Sequence, residues 1–142
     1  MPRIGIVLGD DGGALAKMLP PFRFGMGGPM GTGRQWMSWI HRYDLVTLIG
    51  WLIDSAEARG AYNATAPQPV TNRDFSRTLA AVLSRPALLK MPAGSLRLLF
   101  GEMADLLLTG QNVVPARAVA QGFSFRFEWL DAALRDLLSG PA

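Results

Sequence analysis

The histidine at position 41 is the side chain best suited to acid–base chemistry at neutral pH, and it is the only histidine in the chain. It follows Trp39 and precedes Asp44. A general base needs an orienting carboxylate and a substrate within reach, and neither a cysteine nor a Gly-x-Ser-x-Gly turn supplies a nucleophile here. The pattern favours a histidine packed beside a helix start and hydrogen-bonded to backbone, with a general base as the less favoured alternative.

Two aspartates lie in the turn from Gly9 to Gly13, between a predicted strand and a predicted helix. A dinucleotide loop would lie at this place, but the spacing differs from Gly-x-Gly-x-x-Gly, and carboxylates repel a pyrophosphate. Asp10 and Asp11 could hold Mg²⁺, but adjacent side chains point in different directions. The glycine-rich loop from Gly25 to Gly33 lacks the Lys-Ser/Thr pair of a phosphate-binding loop. The residues alone therefore predict neither a catalytic group nor a metal site.

Composition narrows the class of protein further. The 142 residues suit one domain, and the absence of cysteine excludes disulfide scaffolds and thiolate zinc sites. A net charge of +3 without a basic run predicts no nucleic-acid partner. The longest nearly apolar run, Leu45 to Ile53, is about half of a bilayer span, so we expect no membrane segment. No leader sequence is evident, and the expected location is cytoplasmic.

The elements that must position these residues begin with a strand from Arg3 to Leu8, apolar on both faces as in a parallel sheet. A short helix over 14–19 should end at Pro20 and Pro21. A strand follows over 35–41. Asp44 is the expected N-cap of a helix to Arg59, whose apolar residues wrap most of its circumference. Such a helix must be covered on nearly all sides.

The rest of the chain continues the alternation of short strands and helices. The sequence predicts a strand over 61–64 and a capping box at Thr71–Asp74 that opens a helix ending before Pro86. It also predicts a strand over 87–90 and helices over 95–108, 115–121 and 128–138. Short strands alternating with helices indicate the α/β class.

Several motifs, in this order, resemble the carboxyl-terminal half of an extended short-chain dehydrogenase/reductase. The stretch from Gly31 to Asp44 is similar to a segment of that superfamily that begins with Gly-x-Gly-x-Gln and ends with an aspartate. Gly60–Asn63 and Pro69–Asn72 resemble the strand and the helix start that come next in that superfamily. The match is closest to a subgroup of NAD(P)-dependent epimerases labelled nucleoside-diphosphate-sugar epimerases. The segments similar to that subgroup are Gly12–Met18, Ser38–His41, Gly101–Ala104, Leu108–Gln111 and Gly122–Phe125.

The resemblance implies a Rossmann-type fold, of which this chain is the substrate-binding half. Residues 1–90 would form the end of the sheet and the substrate-binding region, and residues 91–142 a small, mostly helical carboxyl-terminal domain. The full-length protein is expected to use NAD(P) and to act on a small molecule. This chain is expected to self-associate as a homo-oligomer, because its strand from Arg3 to Leu8 would expose unpaired edges. The implied substrate-binding residues are Gln35, Ser38, Trp39, Leu8 and Gly9, followed by Lys17 and His41.

The chain also departs from the pattern of that superfamily. It has no nucleotide-binding glycine loop, and neither Tyr43 nor Tyr62 is followed four residues later by the lysine of the catalytic pair. We therefore expect this chain alone to be inactive and to bind no cofactor. Nucleotide-sugar enzymes usually carry an arginine where Met37 stands, and a thioether cannot neutralise phosphate. The alternative is a stand-alone interaction or self-associating module that uses the apolar surface around Trp36, Trp39 and the helix of Leu45.

Overall fold

The computed structural model describes residues 2–9, 13–24, 27–29, 31–55, 60–85, 101 and 113–138. These residues form short strands that alternate with helices, as the sequence predicts for the α/β class. The strands are β1 (Pro2–Ile4), β2 (Ile6–Leu8), β3 (Trp36–Met37), β4 (Trp39–His41), β5 (Tyr62–Ala64) and β6 (Val70–Thr71). The helices are α1 (Gly13–Arg23), α2 (Arg42–Asp54), α3 (Asn72–Leu83), α4 (Ala116–Ala120) and α5 (Leu130–Leu138).

The first strand is parallel to its neighbours, as expected, but it is divided at Gly5. β1 pairs with β5 and β2 pairs with β4, both in parallel, while β3 and β6 are antiparallel. The Gly5 N–H donates to the Ala64 carbonyl at 3.1 Å, and the next N–H, of Ile6, donates to the Ser38 carbonyl at 2.8 Å. A Cβ at Gly5 would lie 2.4 Å from that Ser38 oxygen, so only glycine fits where the strand changes neighbour.

Helix α1 contradicts the expectation that Pro20 and Pro21 end it, because both prolines lie inside the helix. Each proline removes one backbone hydrogen bond. The residues around them explain why the last turn still forms: Leu19 and Phe22 are 5% and 1% exposed, and both belong to the main core. Burial of these side chains holds the turn in place, so packing overrides the local preference of proline.

Helix α2 begins and ends earlier than the sequence predicts. Its N-cap is His41, not Asp44, because the His41 Nδ1 accepts the Tyr43 N–H at 2.9 Å. Asp44 lies within the first turn, where a carboxylate is stabilised by the positive end of the helix dipole. The helix ends at Asp54, and Ser55 is extended, so the expected continuation to Arg59 is wrong.

The single strand predicted over 35–41 is divided at Ser38 into β3, antiparallel to β6, and β4, parallel to β2. The remaining predicted elements within the described residues are confirmed with small shifts at their ends. β5 forms, and α3 opens with the predicted cap, in which Thr71 Oγ1 accepts the Asp74 N–H at 3.3 Å. α4 and α5 correspond to the helices predicted over 115–121 and 128–138. The predicted strand over 87–90 and helix over 95–108 lie outside the described residues.

The main core joins the first part of the chain to the last helix. Leu8 from β2, Phe22 from α1 and Trp39 from β4 share one cluster with Leu79 of α3 and Leu134 of α5. A second cluster gathers the buried residues Leu48, Tyr62, Ala64 and Ala118. The described carboxyl-terminal residues therefore pack directly on the sheet region. The division at 90/91 falls outside the described residues and stays a prediction.

Candidate functional site

The carboxyl ends of β2 and β4 meet at one edge, because the two strands are parallel and Leu8 lies opposite His41. Open α/β sheets bind their ligands outside this end of the strands. Leu8 is fully buried and Gly9 is buried as well. These two predicted site residues can therefore supply backbone atoms and shape, but no polar side chain.

The His41 ring lies at this edge and is held on three sides. Its Nδ1 accepts the Tyr43 N–H, so in the neutral ring the proton lies on Nε2, which donates to Asp136 Oδ2 at 2.9 Å. The ring also stacks on Phe127, with centroids 4.0 Å apart and planes 14° apart. The Nδ1 contact matches the favoured prediction of a histidine beside a helix start that is hydrogen-bonded to backbone, whereas the Nε2 contact supplies the carboxylate that the general-base alternative requires.

Asp44, which sequence reasoning treats only as a helix cap, fastens a distant segment to the same edge. Its Oδ1 accepts the Arg126 N–H and its Oδ2 accepts the Phe127 N–H, each at 2.9 Å, and the residue is 1% exposed. The Arg126 guanidinium carbon lies 5.0 Å from the centre of the Tyr43 ring, so a cation–π contact supports the same junction. The sequence indicates that Asp44 lies near a helix start, but it does not reveal that its partners Arg126 and Phe127 come from 82 and 83 residues further along the chain.

Ser38 and Trp39 bind other parts of the chain. The Ser38 Oγ accepts the Val113 N–H at 2.8 Å and donates to the Val113 carbonyl at 3.3 Å. Trp39 is fully buried, and its Nε1 donates to the Gln68 carbonyl at 2.9 Å. Trp39 thus belongs to the core and contributes nothing to an exposed apolar surface, in contrast to Trp36, which is 41% exposed.

Gln35 and Lys17 are not at the ends of β2 and β4. Gln35 precedes β3, at the start of the strand pair, and its carbonyl accepts the Asn72 N–H at 2.8 Å. Lys17 is an exposed residue of α1. The structure therefore brings Leu8, Gly9 and His41 together, places Ser38 and Trp39 along the same strand region, and separates Gln35 from them by the length of β3 and β4.

Met37 is buried at 1% exposure, and its sulfur accepts a hydrogen bond from Asn72 Nδ2 at 3.3 Å. The side chain at this position therefore faces the protein interior. A phosphate group would meet a buried thioether and a neutral amide here, and neither carries a positive charge.

Apart from the Tyr43 N–H, the partners described above for the Ser38, His41 and Asp44 side chains come from residues 113–136. In addition to the partners of Ser38, His41 and Asp44, Val114 accepts from Asn63 Nδ2 at 3.2 Å, and Gln121 accepts from the Tyr62 hydroxyl at 2.7 Å. Residues 113–136 therefore contact and stabilise the region of the predicted site residues. Spacing along the sequence does not reveal these contacts.

Within the described residues, no group of three or more His, Cys, Asp or Glu side chains could hold a metal ion. No helix in the described part of the chain has both the length and the apolar character needed to cross a membrane.

Comparison with known proteins identifies the kind of chain to which these elements belong. Residues 91–137 match the family described as "Domain of unknown function (DUF1731)". The Arabidopsis thaliana protein named "Epimerase family protein SDR39U1 homolog, chloroplastic" is 47% identical over 96% of this chain and 39% of its own length. The crystal structure of human epimerase family protein SDR39U1 with NADPH matches 99% of this chain and 48% of that chain, with a TM-score of 0.91 and 39% identity. The chain resembles the carboxyl-terminal half of an extended short-chain dehydrogenase/reductase of the epimerase family.

A more distant structure shares the fold of this chain, and a further relative is similar to it in sequence. The Thermus thermophilus UDP-glucose 4-epimerase complex with NAD matches with a TM-score of 0.70 at 16% identity, which supports the Rossmann-type fold alone. The Mus musculus SDR39U1 protein is 44% identical, and the chain covers 47% of it. The chain thus spans about half the length of the relatives it matches, and the predicted resemblance is confirmed.

Proposed function

We propose that this chain is the substrate-binding half of an NAD(P)-dependent epimerase or oxidoreductase and is inactive alone. The observation that carries the proposal is the match to the human protein, whose structure holds NADPH and is about twice as long as the matched region. In this proposal, the cofactor loop and the catalytic Tyr/Lys pair belong to the part that the chain does not span. The whole protein is proposed to be cytoplasmic, and the expected self-association of this chain into a homo-oligomer stays a prediction.

The residues of this chain do not fit the pyrophosphate of a dinucleotide. The sequence between β2 and α1 contains Asp10 and Asp11 and lacks the spaced glycines of a nucleotide loop. A nucleotide loop holds its phosphates with backbone N–H groups at a helix start, and carboxylates in that part of the sequence would oppose the phosphate charge. We therefore derive no step through the cofactor from these residues.

The substrate is proposed to be a small carbonyl compound or sugar without a diphosphate group. Support comes from Met37, whose buried thioether stands where nucleotide-sugar enzymes usually carry an arginine. Gly9 and His41 would border the pocket at the carboxyl edge, with Ser38 and Trp39 holding its wall. Gln35 and Lys17 are proposed as outer contacts, since Gln35 precedes β3 and Lys17 is an exposed residue of α1.

The experiment joins residues 1–142 to the amino-terminal part of the Bacillus subtilis relative, which is 41% identical to this chain over the matched region. NADPH oxidation is followed with a panel of aldehydes, ketones, free sugars and nucleoside-diphosphate sugars. We expect turnover of uncharged carbonyl substrates and none of nucleoside-diphosphate sugars. Turnover confined to the nucleoside-diphosphate sugars would contradict the proposed substrate class, and an inactive joined chain that binds no NADPH would contradict the proposed function.

The stand-alone interaction module remains the second candidate, favoured by the apolar residues that α2 exposes, Val46 at 65% and Ile53 at 77%. It predicts that residues 1–142 by themselves capture a partner with no relation to a nucleotide-binding unit.

A further inference from the structure

The antiparallel pair of β3 and β6 brings together two arginines that lie far apart in the sequence. Trp36 lies opposite Thr71 in this pair. Just beyond them, the Arg73 N–H donates to the Gly33 carbonyl at 2.9 Å, and a Cβ built at Gly33 would lie 3.4 Å from the Arg73 Cβ. Arg34 and Arg73 therefore extend from neighbouring stretches of backbone, beside Trp36.

The side chains of these three residues are open to solvent. Arg34 and Arg73 are exposed, and within the residues that the structure describes neither guanidinium forms an ion pair or a hydrogen bond. Trp36 is 41% exposed. Asp74 is exposed as well, so the place holds two positive charges against one negative charge. We call Arg34, Trp36 and Arg73 the arginine–tryptophan face.

The charges of this face oppose one another in the free chain. Like charges on neighbouring strands repel, and a cation in the first turn of a helix is disfavoured by the helix dipole. Arg73 meets both conditions, because it is the second residue of α3. Real proteins break such local rules mainly where they bind or react. An anion bound by both guanidinium groups would replace the repulsion with attraction.

The groups that would hold this anion are side chains. The first three backbone N–H groups of α3 are already bonded, two of them to carbonyls and the third to the Thr71 hydroxyl. A guanidinium binds a phosphate through two parallel N–H donors. Two guanidinium groups match the double negative charge of a phosphate monoester better than the single charge of a carboxylate. The exposed indole of Trp36 adds a flat apolar surface on which a ring can pack.

The position of this face separates it from Met37. Successive side chains of a strand point to opposite sides, and Met37 is 1% exposed where Trp36 is open to solvent. We propose that the arginine–tryptophan face binds a small molecule that carries a phosphate monoester and a flat ring. Arg34 and Arg73 bind the phosphate, and Trp36 packs against the ring. This site goes beyond the proposed function and does not depend on it.

An NMR titration of residues 1–142 with phenyl phosphate at constant ionic strength tests the site. The readout is the indole N–H resonance of Trp36, identified by its loss in Trp36→Phe. Arg34→Gln and Arg73→Gln each remove one guanidinium from the face. Arg23→Gln is the matched control, because Arg23 is exposed and its carbonyl accepts the Arg85 Nε–H beyond the opposite end of α3.

We expect a saturable shift of the Trp36 resonance. Arg34→Gln and Arg73→Gln should each raise the dissociation constant by at least about tenfold, and Arg23→Gln should leave it unchanged. Equal weakening by all three variants would show attraction to net charge alone and would overturn the proposal, as would a titration without a saturable shift.

Two further ligands test the chemical class. Benzoate has the ring but a single negative charge, so it should bind more weakly than phenyl phosphate, and equal affinity would overturn the assignment to phosphate. A single-stranded oligonucleotide that binds at least about tenfold more tightly than phenyl phosphate, at the same phosphate concentration, would assign the face to nucleic acid and overturn the assignment to a small molecule.

Urea unfolding of the same variants tests the charge argument and shows that each variant is folded. At low salt and without ligand, Arg34→Gln and Arg73→Gln should unfold at a higher urea concentration than the wild type, and high salt should remove the difference. Phenyl phosphate should raise the urea midpoint of the wild type but not that of either variant. Lower midpoints for both variants without ligand would show that the arginines stabilise the fold themselves and would overturn the inference.

Discussion

Replacement of Asp44 by alanine should destabilise the chain more than any other single change at the carboxyl edge. The carboxylate accepts two backbone N–H groups, of Arg126 and Phe127, in a buried position. Removing it leaves both donors without an acceptor, and each unsatisfied buried group costs about 1–3 kcal/mol. We therefore expect Asp44→Ala to lower the free energy of unfolding by about 2–5 kcal/mol.

Urea unfolding followed by tryptophan fluorescence measures this loss. Asp44→Asn retains one acceptor oxygen, so its cost should lie between those of the wild type and the alanine variant. Asp136→Ala is the control, because its side chain is 47% exposed, and the lost bond to His41 should cost about 1 kcal/mol or less. A loss below about 1 kcal/mol for Asp44→Ala would refute the view that this carboxylate fastens the carboxyl-terminal segment to the site.

Four further substitutions test the packing around the strands and the capping and packing of the helices. Gly5→Ala should lower the free energy of unfolding by about 1–3 kcal/mol or more, because its Cβ would lie 2.4 Å from the Ser38 oxygen. Gly50→Ala has open space around the new Cβ and should stabilise α2 by up to about 1 kcal/mol. Comparable urea midpoints for the two variants would contradict both expectations. Thr71→Ala removes the N-cap of α3 and should cost about 1 kcal/mol, with an unchanged midpoint arguing against the cap. Trp39→Phe removes the hydrogen bond to the Gln68 carbonyl and leaves that acceptor less well satisfied, so it should lower the free energy of unfolding by about 1–3 kcal/mol. Trp129 is exposed, and Trp129→Phe is the control. Equal urea midpoints for the two variants would show that the indole N–H of Trp39 contributes nothing.

The sequence predicts the classes of the described elements well, because hydrophobic periodicity and capping residues are local signals. The cap at Thr71 and the strand that Gly5 divides follow from such signals. The continuation of α1 through Pro20 and Pro21 does not, because the burial of Phe22 depends on residues far along the chain. Element ends that depend on tertiary packing are therefore the ones that sequence reasoning places wrongly.

The candidate site shows the same division between local and distant signals. The position of His41 beside a helix start can be read from its neighbours, and the resemblance to a dehydrogenase/reductase half follows from ordered motifs. The partners Val113, Phe127 and Asp136 cannot be read, because they come from 75 to 95 residues away. They show that Ser38 and His41, selected as substrate contacts, also join the carboxyl-terminal segment to the sheet.

The measurement that tests the central claim most directly is a calorimetric titration of residues 1–142 with NADPH. We expect no binding at cofactor concentrations up to about 1 mM, because the sequence between β2 and α1 contains two aspartates and lacks the spaced glycines of a nucleotide loop. A dissociation constant in the micromolar range for the chain alone would contradict the claim that the cofactor half lies outside it.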